Sequence, residues 1–177
     1  MIKNLKFIII ISFSLFIFFI FFKGLEISNN YLPEKNLNKI ETNLSFKKLY
    51  NQEEVLLEEL INNNNFSIVN IWSSWCLPCR DEHIYLLKIK NTNKINIIGI
   101  NYKDKKSNAI KFLNDLKNPY SEVLIDKDGT KSIELGAIGV PETYLVNKNK
   151  VLVKKYIGPI DNLKFKEILE IIKNEKN

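Results

Sequence analysis

A chain of 177 residues is one domain's worth, which argues against a multi-domain machine. Hydrophobic residues at 45% and charged residues at 26% exclude a disordered or collagen-like chain and leave material for a core. The net charge of +6 comes from 26 basic residues, all lysine except Arg80; beyond Lys3, Lys6 and Lys23 they are interspersed with Asp and Glu, the pattern of a solvated surface rather than a nucleic-acid patch.

The first segment, Phe7 to Phe22, is a run of Phe, Ile and Leu interrupted only by Ser12 and Ser14 and bounded by Lys6 and Lys23. As a helix the run spans roughly 24 Å, short of a ~30 Å hydrocarbon core, and lysine stems at both ends can close the gap. No small-x-small site follows Lys23, and no cysteine precedes Cys76, so an uncleaved anchor over 1–23, spanning about 5–22, is expected in place of a cleaved signal or a lipidated cysteine. Lys3 and Lys6 put the N-terminus in the cytoplasm and export the remainder. Residues 24–42 read as a tether, and 43–177 as the exported domain.

Within that domain Gln52–Ile61 has the pattern of an amphipathic helix, and the run Asn62–Asn65 that of a turn. Phe66–Trp72 is almost continuously apolar, as a strand buried on both faces is. A helix is expected from Cys76 to about Lys90, with Pro78 near its start, then a strand over Ile95–Asn101, a right-handed βαβ unit. Helix Ser107–Lys117, strand Ser121–Asp126 with its Asp126–Gly129 turn, and a hairpin of Thr143–Asn147 with Val151–Tyr156 follow. Asp161 caps a last helix whose apolar residues run from Leu163 to Ile172 at helical spacing. The class is α/β with a mixed sheet.

The two cysteines, Cys76 and Cys79, form C-x-x-C at the strand-to-helix junction. There the helix N-terminus offers unpaired N–H groups and a positive dipole end to a thiolate. A thiol near pKa 8.5 is only about 3% ionised at pH 7, whereas one lowered to ~7 is half ionised. Cys76 is thus the expected exposed nucleophile and Cys79, one turn in, the shielded resolving thiol. Structural zinc needs four ligands, and two cysteines plus His83 do not supply them. Covalent haem needs C-x-x-C-H, and Arg80 stands at the histidine position. A structural disulfide stays open, although so short a loop constrains little chain.

The stretch Trp75-Cys76-Leu77-Pro78-Cys79-Arg80-Asp81-Glu82-His83, with Asn101-Tyr102-Lys103-Asp104, Asn118-Pro119-Tyr120 and Gly139-Val140-Pro141-Glu142-Thr143 in that order, resembles the DsbE (CcmG) family. These are membrane-anchored thioredoxin-like proteins of bacterial cytochrome c maturation. The resemblance covers roughly residues 44–172 and implies a thioredoxin-like fold, a mixed sheet flanked by helices, on the periplasmic side of the inner membrane. It implies a reductant whose only redox group is the Cys76–Cys79 pair, with no metal and no other cofactor. Its substrate would be the disulfide of an apocytochrome C-x-x-C-H site or of a maturation partner, its electron donor a membrane thiol transporter of the DsbD or CcdA type.

Residue by residue, Pro141 matches the family's cis proline, which leaves the Val140 backbone free for an extended substrate. Glu82 matches an acid near the thiols, with a solvated helix residue as the plain alternative, and Glu142 a second acid beside the proline. Asn70 lies where ordinary thioredoxins place a buried aspartate, so Glu82 is the candidate replacement in a proton relay. Trp75 packs beside the thiols or in the core, and His83 reads as an exposed helix residue. Two rival functions remain: a general periplasmic thiol reductase of TlpA or ResA type, and a non-catalytic module that binds apocytochrome.

Overall fold

The computed structural model describes residues 2–26, 43–61, 66–92 and 95–174. The Asn62–Asn65 run and all but the first residues of the expected tether lie outside them. The chain divides into two compact units, Met1–Asn36 and Leu37–Asn177.

In the first unit α1 (Ile2–Glu26) carries the apolar run, with Phe18 and Phe22 one turn apart and their rings stacked at 6.2 Å. Among the described residues no helix is long and apolar enough to cross a membrane.

The second unit runs β1 (Ser45–Lys48), β2 (Glu54–Leu56), α2 (Leu57–Leu60), β3 (Phe66–Trp72), α3 (Leu77–Lys90), β4 (Asn96–Tyr102), α4 (Lys106–Leu116), β5 (Glu122–Asp126), α5 (Thr130–Glu134), β6 (Glu142–Asn147), β7 (Leu152–Ile157) and α6 (Asn162–Asn174). Its sheet has the order β2-β1-β5-β4-β3-β6-β7, with β3 parallel to β4 and antiparallel to β6. Side chains alternate across a strand. Ile68 and Trp72 therefore join Leu86, Ile89, Phe112 and Ile168 on one face, while Val69 and Ile71 join Phe46, Leu57 and Tyr144 on the other. All seven residues of β3 are buried, which is why its sequence is mostly apolar and does not alternate, with Ser67 and Asn70 as its buried polar residues.

The expected helix over Gln52–Ile61 is corrected. Its first half is strand β2, in register with β1 as Phe46↔Val55 and Lys47↔Glu54, and only Leu57–Leu60 is helical. So short a segment gains little from helix propensity, while pairing through β1 to β5 extends the sheet and buries Phe46 and Leu57 completely. Lys48 adds ion pairs to Glu53 at 3.4 Å and Glu122 at 3.3 Å. Neither β1 nor α5 is foreseen in the sequence reading. α5 starts at Gly129 (φ 81), and buried Asp126 holds it by accepting from Gly129 N (3.1 Å), Ser132 N (2.7 Å) and Ser132 Oγ (2.6 Å). Asp161 does cap α6, accepting from the amides of Leu163 and Lys164 at 2.9 Å.

At the sheet's centre Gly99 lies opposite Asn70, and the space a side chain would take is filled by Trp72 and Tyr120, whose rings stack at 5.5 Å. A Cβ there would meet the Tyr120 ring at 2.8 Å and Trp72 Nε1 at 2.9 Å. Gly99→Ala is therefore expected to cost about 1–3 kcal/mol of stability, read from the denaturant midpoint; an unchanged midpoint would show that the two rings can yield.

Candidate active site

β3 delivers the chain to a short loop, Ser73 to Trp75, that is stitched to the loop after β4. Ser74 N and Oγ both donate to the Asp104 carboxylate, at 2.6 and 2.9 Å, and Asn101 Nδ2 steadies the same group at 3.0 Å. Ser73 Oγ donates to the Tyr102 carbonyl, and Trp75 Nε1 to the Lys103 carbonyl at 3.0 Å. Asp104 is a residue to which the sequence reading gives no role, although it closes the quoted Asn101–Asp104 motif.

Cys76 is the N-cap of α3, Pro78 sits exposed in the first turn, and the Cys79 amide donates to Cys76 Sγ at 3.2 Å. Cys76 and Cys79 are joined as a disulfide, their Cα atoms 5.3 Å apart. The expectation of an exposed Cys76 is corrected: in this oxidised form it is 4% exposed and Cys79 2%, both packed into the core cluster under α3. The capping position turns the sulfur back over the first turn's amides. What stands out into solvent around it is Trp75 and Leu77, so the core role weighed for Trp75 belongs to Trp72.

Val140 and Pro141 are joined by a cis peptide bond, with Val140 half buried and Pro141 buried. Glu142, the next residue, is buried and organises this loop: Oε1 accepts from Ile138 N (2.7 Å) and Gly139 N (3.0 Å), and Oε2 meets Tyr144 Oη (3.1 Å) and Lys155 Nζ (2.9 Å). It follows from the alternation of β6 that Glu142 points to the sheet face opposite Thr143 and Asn70.

Glu82 is fully buried, which sets aside the solvated alternative. Oε1 accepts from Asn70 Nδ2 at 2.9 Å and Oε2 from Ile160 N at 2.9 Å. Burial pushes its pKa up to about 7, against the pull of those two donors and of Lys164. His83 is also buried, correcting the exposed reading. Its Nε2–H donates to the Lys117 carbonyl at 2.7 Å, its ring meets Phe112 edge-on, and burial lowers its pKa, so it clamps α3 to the end of α4 as a neutral side chain. Among the described residues no group of His, Cys, Asp and Glu could hold a metal ion.

The chain matches the Redoxin family over residues 34–172. It is 45% identical over 101 residues to thiol:disulfide interchange protein CycY of Rhizobium leguminosarum bv. viciae, a match covering 57% of this chain and 54% of that protein. It is 43% identical over 103 residues to DsbE of Pseudomonas aeruginosa (58% and 57%) and 32% identical over 140 residues to DsbE of Allochromatium vinosum (79% and 77%). The chain thus spans just over half the length of the first two relatives and about three quarters of the third. Among solved structures it resembles a DsbF homologue from Corynebacterium diphtheriae (TM-score 0.62, 22% identity, 74% of this chain and 83% of that one). StoA from Bacillus subtilis gives a TM-score of 0.56 at 21% identity, with 70% and 93% covered. At these identities the likeness is one of fold, which is thioredoxin-like.

The buried carboxyl makes stability depend on pH. Its pKa is raised from an ordinary 4.5 to about 7 in the folded state, so between those values the folded chain holds a proton that the unfolded chain has lost. The stabilisation is complete below about pH 4.5 and is lost as pH rises through about 7, on the order of 3 kcal/mol in all. The stability of the wild type against denaturant should fall between pH 5 and 8 with a slope that Glu82→Gln lacks; parallel profiles for the two proteins would contradict it.

Proposed function

The chain belongs to the Redoxin family and, within it, to the DsbE-type thiol:disulfide interchange proteins, and from that premise we propose that it is a thiol:disulfide oxidoreductase acting as a reductant in cytochrome c maturation. The observation that carries the reading is the Cys76–Cys79 pair on the first turn of α3, with the Cys79 amide directed at Cys76 Sγ. That amide and the helix N-terminus favour a thiolate on Cys76.

In the reduced protein the Cys76 thiolate attacks one sulfur of a substrate disulfide. A mixed disulfide forms and the substrate's other sulfur leaves as a thiolate, to be protonated. Cys79 then gives up its proton, with Glu82 as the acceptor, and attacks Cys76 Sγ. The second substrate sulfur leaves, two electrons have passed to the substrate, and the Cys76–Cys79 disulfide remains. A membrane thiol donor of the DsbD or CcdA type restores the dithiol. Val140 and Pro141 hold the substrate: no backbone or side-chain group of the described residues bonds the Val140 backbone, which leaves it for an extended peptide. The substrate is an apocytochrome C-x-x-C-H disulfide or a maturation partner's.

The placement we propose is the bacterial inner membrane, N-terminus cytoplasmic and redox domain periplasmic, on the strength of the Phe7–Phe22 run between Lys6 and Lys23. The full chain should stay with membranes through a carbonate wash; release into the wash would remove the anchor from the reading.

The functional test is the Cys79→Ser variant of the full chain, expressed in native membranes and acid-quenched to keep mixed disulfides. Cys76 is expected to carry a C-x-x-C-H peptide or a cytochrome-maturation protein. A broad set of partners would favour a general thiol reductase, and no adducts, with Cys76 slow to alkylate near neutral pH, a binding module.

A further inference from the structure

We propose that Asn70, locked by Tyr120 and Thr143, is the positioning residue that presents an amide donor to Glu82 and thereby sets where that carboxyl exchanges its proton. This deepens the proposed function and rests on its assignment of Glu82 as the group that takes the Cys79 proton.

An asparagine side chain has a donating and an accepting end, and here both are spoken for. The Tyr120 hydroxyl donates to Asn70 Oδ1 at 2.8 Å, and Asn70 Nδ2 gives one hydrogen to Thr143 Oγ1 at 2.9 Å and the other to Glu82 Oε1 at 2.9 Å. All of these groups are buried. With the amide turned this way an N–H faces the carboxyl and favours its ionised form; turned over, Oδ1 would face Oε1, an arrangement only a protonated Glu82 could bond. Burial, and the charge of Glu82, raise the Tyr120 pKa well above its usual value, so the phenol stays an O–H donor. Its ring is fixed by stacking on Trp72, in the space Gly99 leaves open.

The other groups around Glu82 do not take over this function. From α6, Lys164 acts through its charge, and the segment before α6 contributes the Ile160 amide. β3 and β6 contribute the uncharged Asn70 and Thr143. On α3 itself the Cys76–Cys79 pair lies one turn before, while Arg80 packs over the Phe112 ring at 4.8 Å and His83 bonds to Lys117. A carboxylate at position 70 would set two like charges side by side; the amide supplies a donor instead.

The test is a carboxyl-carbon NMR titration of the full chain with 13C-labelled glutamate, Glu82→Gln assigning the signal, alongside the pH profile of Cys76 alkylation in the reduced protein. The Glu82 midpoint, about 7 in the wild type, should rise by roughly one unit in Asn70→Leu through loss of the donor. It should rise less, in the same direction, in Tyr120→Phe, with the alkylation profile following in both. An unmoved or lowered midpoint in these variants would overturn the proposal. Should Asn70→Leu fail to fold, Tyr120→Phe and Thr143→Val decide by the same criterion. If Glu82→Gln exchanges disulfides as fast as the wild type while the midpoints still move, the proton-transfer assignment fails and the positioning by Asn70 stands.

Discussion

A carboxyl group sealed from water beneath the redox helix is the constraint around which this domain is assembled. Glu82 comes from α3, and its two oxygens are met by β3, through Asn70, and by the backbone at Ile160 where the chain enters α6. Tyr120 and Thr143, from the segments that open β5 and form β6, complete the shell by bonding to Asn70. Burying such a group without partners costs several kcal/mol. Each contributing segment must therefore arrive in register, and the Glu82 carboxyl ties together elements from residue 70 to residue 160 as no purely apolar contact would.

Glu82 and Glu142, which both follow the redox pair in sequence, have different surroundings. Glu82 lies on the face with α3 and the disulfide. Glu142 points to the opposite face, where its four partners fold the loop leading to Val140 and Pro141. One carboxyl is met by Asn70 and the Ile160 amide, and the other holds the loop that leads to Val140 and Pro141. Asp104 does for the Cys76 side what Glu142 does for the proline side, holding Ser74 and through it the approach to α3. Each of these two loops thus has a carboxylate that accepts from its backbone N–H groups.

Much of this is legible in the sequence, and the illegible parts share a cause. β3 announces itself by a nearly continuous apolar run, α3 by Pro78 and the C-x-x-C spacing, and α6 by Asp161 and its periodic apolar residues, because each signal is local. The β1–β2 hairpin is hidden because Gln52–Ile61 has helical patterning, and what makes its first half strand is pairing with β1, itself held to β5 far along the chain as Lys47↔Ile125 and Lys48↔Leu124. His83 and Glu82 look like surface positions for the same reason: what buries them, Lys117 and Phe112 in one case and Asn70 and Ile160 in the other, is distant in the chain. Asn70 stands out in sequence only as the residue that is not an aspartate. Its bond to Glu82 is a fact of three dimensions.

The energetics of proton transfer give that bond its significance for the proposed chemistry. Moving a proton from a thiol near pKa 8.5 to a carboxylate near 4.5 is uphill by about 5 kcal/mol, whereas to one near 7 it is uphill by about 2 kcal/mol. Burial alone would carry Glu82 further. The donors on Asn70 and Ile160 and the charge of Lys164 oppose burial and leave the group at about 7, half ready to take a proton and half ready to return one. A resolving thiol that must be deprotonated in one half of the cycle and reprotonated in the other needs a partner balanced between those two forces, and the residue at position 70 supplies part of the balance.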